Sequence, residues 1–574
     1  MDSDTSESNL VILTNKVRFK RFLKIYRKTL LILLIPVIFM PIAFIGKNNA
    51  YLSFYIFLVT ASFFAGDFLH PGVTSFLPIV FFTIMGTFNK KLINTIIISN
   101  SVLDCVAVMA MILAVEHSNI HKRAAIKILL IFGCSHFRLS FILFMSTAVL
   151  SMWFSNCMAC GLMMPLVKAI LKELEKMGIM ETYEIIGKVT SDSINNEKYT
   201  PRPSDFTIFY FIGIAYSSSI GGMATFVGSE TNQLFMNYCA AIFPDGPKVE
   251  SPRYLLLTLP GVIIMEMFLY LWLNFYFLGM LRVQNYTALQ ASLTSDEEQF
   301  ISVLLARQYQ QMGKIKFPEM VVGTAVIMAA ILQAMVYSNS TSYSDDDKFN
   351  TRRYVTTSVP SIICVLILFL IPSNMACLKF CRKQNDDSEP LPTSASGGFL
   401  TWSMVKNNLD WTVIFLTASA NITFDSLEDS GMTEEFEKFL SLFTACPPTA
   451  QACIVIVFCK ILTEFASNAT VGRCLLALIA NVGVKSKVNP LYLMLSATLS
   501  TSLPFHLVTG TPAYAMIASY VHIPPRKLMV VGIGPSLLAI VLNLFTACVW
   551  SKVIWPEIDS YPAWADGMKI NNIP

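Results

Sequence analysis

Long apolar segments alternate with short polar ones along most of the chain, and many of the apolar segments are long enough to cross a membrane. A helix needs about 20 mostly apolar residues to span the hydrocarbon core. Segments such as 51–69, 92–115 and 255–281 approach or exceed that length. The residue-by-residue alternation of a transmembrane β-barrel is absent. The pattern therefore predicts an all-α polytopic membrane protein with about 11 transmembrane helices.

Two of the apolar segments are interrupted by a serine followed by an asparagine. The interruptions are Ser155-Asn156 and Ser467-Asn468, one in each half of the chain. An unpaired polar group in hydrocarbon costs several kcal/mol, so such breaks persist where they line a cavity or bind a ligand. We expect two broken, re-entrant segments that mark a repeat built around a central binding site.

The amino-acid composition is that of a membrane protein and disfavours a soluble protein, a nucleic-acid-binding protein and a disulfide- or zinc-stabilised one. Of 574 residues, 54% are hydrophobic and 14% are charged, whereas soluble proteins carry about 25% charged residues. The net charge of +4 is too small to indicate a nucleic-acid partner. The 13 cysteines show neither a pairing pattern nor zinc-ligand spacing, and most are expected to pack as small apolar residues.

Basic residues set the expected topology. A cluster between Lys16 and Lys28 precedes the first apolar run, which predicts a cytoplasmic N-terminus and a retained first helix. The loop after residue 337 is then expected outside, where Asn339-Ser340-Thr341 fits a glycosylation site. The predicted divisions are a cytoplasmic segment 1–29, a first repeat 30–281, a cytoplasmic or interfacial linker 282–317, a second repeat 318–551 and an extracellular tail 552–574.

Four polar clusters stand out from the apolar background. They are Ser151 with Ser155-Asn156, the segment 221–232, Thr463 with Ser467-Asn468, and the segment 508–513. A broken helix offers carbonyl oxygens to a cation at the end of its first half, and N–H groups to an anion at the start of its second half. This predicts cation-coupled anion transport. The alternative is that small residues only allow close helix packing, but finding four such clusters favours binding.

Nine segments resemble, in order, those of the divalent anion/sodium symporter family. The resemblance runs nearly end to end. The stronger matches are FSNCMACGLMMPLVKAIL, GGMATFVGSETN, KILTEFASNATVGRCLLALIANV and LSTSLPFHLVTGTPAYAMIASY; weaker ones are ARQYQQMGKIKFPEMVV, ILFLIPSN, FLTWSMVKNNLDW, LEDSGM and YPAWAD. A single match would be weak, whereas nine in the same order are specific.

The resemblance implies a fold, a mechanism and a set of ligands. It implies a homodimeric transporter, not an enzyme, in which a transport domain holding two inverted hairpins moves like an elevator against a scaffold domain. The plasma membrane is the default location, because the last four residues, 571–574, match no ER or peroxisomal address. The implied sodium ligands are Ser151, Ser155, Asn156 and Gly228 in one site, and Thr463, Ala466, Asn468, Gly510 and Pro512 in the other. The implied substrate residues are Asn156, Cys157, Ser229, Ser467, Asn468, Ala469 and Thr511.

Departures from the family pattern fall on the substrate side. Cys157 and Ala469 stand where the family has a hydroxyl, and Tyr514 stands where it has an asparagine. Each lost hydrogen bond to an anion costs roughly 1.5–3 kcal/mol if nothing replaces it, so the choice among dicarboxylates, tricarboxylates and sulfate stays open. Glu230 would either repel a dianion or hold a cation.

Other functions stay open beside sodium-coupled symport. The chain could be a sodium-independent anion exchanger or a transport-inactive scaffold or sensor. An intramembrane serine hydrolase is disfavoured because no Gly-x-Ser-x-Gly elbow is present.

Ionisable residues within the apolar runs have structural interpretations. Lys460 and Glu464 are four apart and are expected to pair on one helix, with a role beside the second hairpin as the alternative. Asp104 and Glu266 are expected in buried polar pairs.

Overall fold

The chain folds as a bundle of helices. The computed structural model describes residues 22–45 except 24, 49–84, 86, 99–184, 202–279, 295–341, 358–373 and 397–568. Within these residues seven helices are long and apolar enough to cross a membrane, and shorter apolar helices accompany them. The extended structure described is a two-residue antiparallel ribbon, β1 (Tyr183–Glu184) with β2 (Arg202–Pro203). An all-α polytopic membrane protein is confirmed, whereas the number of spans stays a prediction.

Helices of the first half follow one another with short connections. In chain order they are α1 (Arg27–Ile45), α2 (Asn49–Gly66), α3 (Pro71–Thr74), α4 (Leu77–Ile84), α5 (Asn100–Ser118), α6 (Ile120–Phe132), α7 (His136–Ser151), α8 (Asn156–Lys176), α9 (Asp205–Gly222), α10 (Glu230–Ile242), α11 (Ser251–Leu278) and α12 (Ser295–Gln311).

Helices of the second half end in a short π-helical stretch and 3₁₀ turns. In chain order the α-helices are α13 (Phe317–Thr341), α14 (Ser358–Leu370), α15 (Trp402–Asn408), α16 (Trp411–Asp429), α17 (Met432–Ser441), α18 (Pro448–Phe465), α19 (Asn468–Lys485), α20 (Pro490–Thr501), α21 (Pro512–Val521), α22 (Pro525–Val531), α23 (Ile533–Phe545) and α24 (Ser551–Ile554).

The same succession of helices occurs twice. The helices α5 to α11 are matched in order by α16 to α23, with the last long helix of the first series divided into two in the second. In both series a broken helix pair occupies the third and fourth positions. We call these pairs hairpin 1 (α7 and α8) and hairpin 2 (α18 and α19). This order is what a repeat requires, whereas the inversion of the second unit and the predicted repeat and domain boundaries stay predictions.

Three features of the fold differ from the sequence expectations. The apolar stretch 126–151 is divided because Gly133, at a φ of 79°, ends α6. Helix α13 continues through Thr341, which places Asn339 in its last turn instead of in a loop. Helices α10 and α17 were not expected, because neither forms a long apolar run: both mix polar with apolar residues. Glycosylation of Asn339 stays a prediction.

A buried arginine joins the two halves. Arg123 on α6 is 8% exposed, and its Nε lies 2.9 Å from Glu319 Oε2 at the start of α13. Its Nη1 also donates to the carbonyl of Gly313 at 2.8 Å. Because the guanidinium is paired and hydrogen-bonded, its burial is compatible with a stable fold.

Close helix packing at hairpin 1 predicts a strong effect of a single methyl group. A Cβ added at Gly221 on α9 would lie 2.1 Å from the carbonyl oxygen of Ala148 on α7. We therefore expect Gly221→Ala to lower the thermal midpoint of the detergent-purified protein sharply, since the contact is with backbone and cannot relax by side-chain rotation.

The matched control for this test is Gly261→Ala. Gly261 is buried on the membrane helix α11, but the nearest atom to its added Cβ is Thr546 Oγ1 at 3.6 Å, an ordinary contact. Equal midpoints for the two variants would contradict the packing described at Gly221.

Candidate functional site

The tip of hairpin 1 is closed by a backbone hydrogen bond to a distant glycine. Helix α7 ends at Ser151 and α8 begins at Asn156. The hydroxyl of Ser155 caps α8 by accepting from Met158 N at 3.2 Å. The backbone N–H of Asn156 donates to the carbonyl of Gly228 at 2.9 Å. The amide freed by the helix break is therefore satisfied from outside the hairpin.

The tip of hairpin 2 repeats this arrangement. Helix α18 ends at Phe465, α19 begins at Asn468, and Asn468 N–H donates to the carbonyl of Gly510 at 3.0 Å. In both cases the accepting glycine directly precedes a hydroxyl residue at a helix start, Ser229 before α10 and Thr511 before α21. The two halves thus use the same contact at equivalent positions.

Both Ser-Asn breaks open onto one small cavity. Its volume is about 30 Å³, and its lining residues are Ser101, Asp104, Ser155, Asn156, Cys157, Glu230, Ser467, Asn468 and Pro512. Each lies within the first turns of a helix or one residue before it, so α5, α8, α10, α19 and α21 all begin here. Helix N-termini carry partial positive charge and favour anions. The convergence of five of them makes the cavity a candidate anion site.

The first expected sodium set is brought together around Gly222 and Gly228. A Cβ at Gly228 would lie 2.4 Å from the Ser151 carbonyl, and one at Gly222 would lie 3.1 Å from Ser151 Oγ and 2.9 Å from the Gly228 carbonyl. Only glycine allows this approach. Ser151 Oγ also donates to the Ser218 carbonyl at 2.6 Å, which leaves its oxygen lone pairs available for a cation.

The second expected sodium set lies around the tip of hairpin 2. Thr463 Oγ1 donates to the Cys459 carbonyl at 2.7 Å on its own helix, and Ala466 is extended, with φ −134° and ψ 170°. Thr511 is 1% exposed, and its hydroxyl has no hydrogen-bond partner among the described residues. A buried hydroxyl without a partner is unfavourable by itself and is consistent with a ligand that completes the site.

The expected substrate residues divide between the cavity wall and its surroundings. Asn156, Cys157, Ser467 and Asn468 line the cavity, as does Pro512 from the second sodium set. The remaining expected substrate residues are absent from its lining: Ser229, Ala469 and Thr511. Their roles as ligands stay predictions.

Three cavity residues lie outside the ligand sets expected from the sequence: Ser101, Asp104 and Glu230, of which only Glu230 was expected beside the site. Asp104 and Ser101 both lie on α5, and Asp104 accepts from Ser155 Oγ at 3.1 Å and from Ser361 Oγ at 3.2 Å. From the sequence, Asp104 was a single carboxylate within an apolar run. This pattern predicts that it has a buried partner but does not identify the partner. The partner turns out to be the tip of hairpin 1.

A compensated charge network supports the first helix of hairpin 2. The Nζ of Lys460 lies 2.6 Å from Glu464 Oε1, and Glu464 Oε2 accepts from the backbone N–H groups of Phe505 and His506 at 3.0 and 2.9 Å. Ser536 Oγ on α23 donates to Glu464 Oε1 at 3.0 Å. Lys460 and Glu464 do pair on one helix as expected, and the network also reaches the chain that leads to Gly510.

Comparison with known proteins places the chain in a family. A profile described as "Citrate transporter" matches residues 54–498. The chain is 28% identical over 558 residues to "Protein I'm not dead yet" of Drosophila melanogaster, covering 96% of this chain and 93% of that protein.

Mammalian proteins match over a similar length. The human "Na(+)/dicarboxylate cotransporter 3" is 25% identical over 593 residues, covering 95% of both chains. The rat "Na(+)/citrate cotransporter" is 22% identical over 579 residues, covering 96% of this chain and 99% of that protein.

Fold, site and comparison together define a multi-pass membrane transporter. The chain belongs to the citrate transporter family, because the family profile covers most of its length. It is therefore a secondary transporter of carboxylates and not an enzyme. The family resemblance expected from the motifs is confirmed.

The burial of the Lys460–Glu464 pair predicts that removing its carboxylate lowers the stability of the protein more than removing that of an exposed ion pair. Glu464 is 8% exposed and Lys460 is 3% exposed. Removing one partner of a buried pair costs about 3–5 kcal/mol, because the other charge is left uncompensated. We expect Glu464→Gln to lower the thermal midpoint of the purified protein by several degrees.

The matched control is Glu250→Gln. Glu250 pairs with Arg253 at 3.2 Å, but both side chains are more than half exposed, at 58% and 55%. Exposed pairs contribute little to stability, so this midpoint should stay near that of the wild type. A Glu464→Gln midpoint as high as the control's would refute a stabilising role for the network.

Proposed function

We propose that this protein is a sodium-coupled symporter of di- or tricarboxylates that works by an elevator mechanism as a homodimer in the plasma membrane. The observation that carries the proposal is the convergence of five helix N-termini on a cavity lined by both Ser-Asn breaks. Helix N-termini and amide side chains suit carboxylates, and the relatives named for sodium/dicarboxylate and sodium/citrate cotransport support the choice.

Sodium coupling is supported by oxygen-rich positions beside each tip. The carbonyls of Gly228 and Gly510 each accept one backbone hydrogen bond and keep a second lone pair. Sodium at these positions would attract a carboxylate in the neighbouring cavity. A cation bound first therefore raises the affinity for the anion, which is the thermodynamic basis of symport.

The small size of the cavity implies that substrate binding involves movement of the tips. About 30 Å³ has room for at most a few water molecules, since one water needs roughly 10–15 Å³ of such space, whereas a dicarboxylate is larger. We infer that the hairpin tips separate to admit substrate and close over it.

An elevator movement is compatible with the contacts around the hairpins. Helix α16 meets hairpin 2 through polar pairs, such as Thr470 Oγ1 donating to Asn421 Oδ1 at 2.8 Å. A larger cavity of about 440 Å³ separates parts of α5 and α16 from α8 and α21. We assign α5 and α16 to the scaffold side of this boundary, because both present their polar residues towards the hairpins.

Uptake into liposomes tests the proposed function. Purified protein should accumulate labelled succinate or citrate under an inward sodium gradient, and much less when potassium replaces sodium. Asn156→Ala and Asn468→Ala should each reduce uptake strongly, since each removes an amide that lines the cavity.

The matched control is Asn481→Ala. Asn481 lies on α19 like Asn468, but its amide donates to Glu437 at 2.6 Å and does not line the cavity. If the protein takes up labelled carboxylate without sodium, in exchange for unlabelled carboxylate inside the liposomes, it is an anion exchanger and not a symporter. No uptake of dicarboxylate, citrate or sulfate in either assay would favour a scaffold or sensor.

A further inference from the structure

Helix α12 presents a stripe of apolar side chains to its surroundings. Phe300, Val303 and Leu304 are 67, 68 and 43% exposed, and their spacing of three and four residues places them on one face of the helix. On another face Ile301 and Leu305 are buried, and α12 packs on α6. Because α12 is not among the seven apolar spans, the stripe is not the lipid-facing side of a transmembrane helix. Such a stripe indicates a surface that binds a partner.

Exposed basic residues continue this surface at the C-terminal end of α12. Arg307 follows Leu304 by three residues, on the same face, and Lys314 and Lys316 lie in the turn that leads to α13. None of the three cations forms an ion pair with a carboxylate in the described part of the chain. Their charge is therefore available to a partner outside the protein. We call these residues the α12 surface: Phe300, Val303, Leu304, Arg307, Lys314 and Lys316.

The turn that carries the two lysines is fixed to the rest of the protein. Arg123 on α6 donates to the Gly313 carbonyl at 2.8 Å and to the Lys314 carbonyl at 3.2 Å. It also pairs with Glu319 at 2.9 Å, so the carboxylate nearest to the lysines in sequence is already neutralised. These contacts use backbone carbonyls, and the side chains of Lys314 and Lys316 stay exposed. The surface is therefore preformed, which lowers the entropic cost of binding.

Carboxylates on the same elements do not offset this positive charge. Helix α6 contains neither aspartate nor glutamate. The acidic residues of α12 are confined to positions 296–298, at its N-terminal end. Glu298 precedes Arg307 by nine residues, which is about 14 Å along a helix, and it pairs with Arg138 at 2.8 Å. The α12 surface therefore combines an apolar stripe with an uncompensated positive end.

We propose that the α12 surface binds the face of a bilayer that contains anionic phospholipids. The apolar stripe enters the boundary between headgroups and acyl chains, and the three cations bind lipid phosphates. Helices with an apolar face beside basic residues lie in the plane of the membrane interface. The linker that contains α12 is predicted to be cytoplasmic, and the cytoplasmic leaflet is rich in anionic lipid. A bilayer surrounds this protein at all times, which favours lipid over an acidic protein as the occupant.

Helix α12 also contacts hairpin 1. Gln308 Nε2 donates at 3.0 Å to Glu173 Oε2 on α8, and Glu173 Oε1 accepts from Lys176 at 2.7 Å. Because Gln308 directly follows Arg307, lipid that holds α12 against the bilayer also restrains the C-terminal end of α8. We therefore expect anionic lipid to change the rate of transport. This consequence rests on the proposed function, whereas lipid binding does not.

Lipid-dependent stabilisation of the full-length protein tests the proposal. The thermal midpoint of the detergent-purified protein is measured as phosphatidylserine replaces phosphatidylcholine in mixed micelles at constant total lipid. We expect phosphatidylserine to raise the midpoint. Arg307→Gln, Lys314→Gln and Lys316→Gln should each require about fivefold more phosphatidylserine for half-maximal stabilisation, because each removes one cation beside the anionic surface.

The apolar stripe is tested by Phe300→Ser at low and high salt. This variant should also require more phosphatidylserine, because a large apolar side chain no longer enters the interface. Salt screens exposed charges, so 0.5 M sodium chloride, roughly a fivefold rise over the physiological level, should shrink the effect of the lysine and arginine variants. The effect of Phe300→Ser should persist. A Phe300→Ser requirement equal to that of the wild type would overturn the assignment of the stripe to the interface.

The matched control is Lys248→Gln. Lys248 is exposed in the segment between α10 and α11, close in sequence to Asp245 and Glu250, so its phosphatidylserine requirement should equal that of the wild type. Wild-type requirements in all three cation variants would overturn the proposal. Equal midpoints in the two lipids would overturn it as well and favour an acidic protein as the occupant. Equal stabilisation by soluble glycerophosphoserine would replace the bilayer with a small anion.

Transport measurements separate this proposal from the proposed function. In liposomes, sodium-driven uptake by the wild type should differ between phosphatidylcholine alone and a mixture with phosphatidylserine, and the variant lacking all three cations should lose that difference. Phosphatidylserine-dependent stabilisation of a protein that takes up no carboxylate would reject the proposed function alone. Carboxylate uptake by a protein whose midpoint does not respond to phosphatidylserine would reject the α12 surface alone.

Discussion

Two backbone hydrogen bonds, one at each hairpin tip, are the contacts on which the site depends. They join Asn156 N–H to Gly228 and Asn468 N–H to Gly510, at 2.9 and 3.0 Å. Each satisfies an amide that the helix break would otherwise leave unpaired inside the membrane. Each also places the start of a hairpin's second helix against the start of a later helix, which is how five N-termini come to face one cavity. Glycine is required, since a Cβ at Gly228 would lie 2.4 Å from the Ser151 carbonyl.

Much of this arrangement could be predicted from the sequence, because the signals were local. A Ser-Asn within an apolar run marks a break wherever the rest of the chain goes, and the helices do begin at Asn156 and Asn468. The contribution of Asp104 could not be predicted, since its partner Ser155 is 51 residues away and depends on how α5 packs against α8. The division of the stretch 126–151 was also missed. Hydrophobicity continues through Gly133, and only the backbone conformation of that residue reveals the turn.

Carboxylates on the helices around the site are held in two different ways. Glu464 is paired with Lys460 and accepts from backbone N–H groups, so its charge is fully used in holding hairpin 2 against α23 and the chain before Gly510. Among the described residues, the buried Asp104 and the half-buried Glu230 accept from hydroxyls, and both line the cavity. A carboxylate that is paired with a lysine, such as Glu464, stabilises one arrangement of helices. A carboxylate without a cationic partner interacts instead with the charge of whatever enters the cavity. This contrast separates the supporting framework from the binding surface.

The substituted residues at the tips affect the two halves of the chemistry unequally. Replacing a hydroxyl by the thiol of Cys157 or the methyl group of Ala469 removes a side-chain donor, but it leaves the backbone and the helix N-termini unchanged. Attraction of an anion therefore persists, because it arises from the convergence of helices that the glycine contacts maintain. Discrimination among anions depends on side-chain hydrogen bonds. Where a side-chain donor is missing, a substrate hydroxyl or carboxylate forms no hydrogen bond there and gains no affinity over other anions. Selection among carboxylates must then rest on the amides that remain in the cavity wall, those of Asn156 and Asn468.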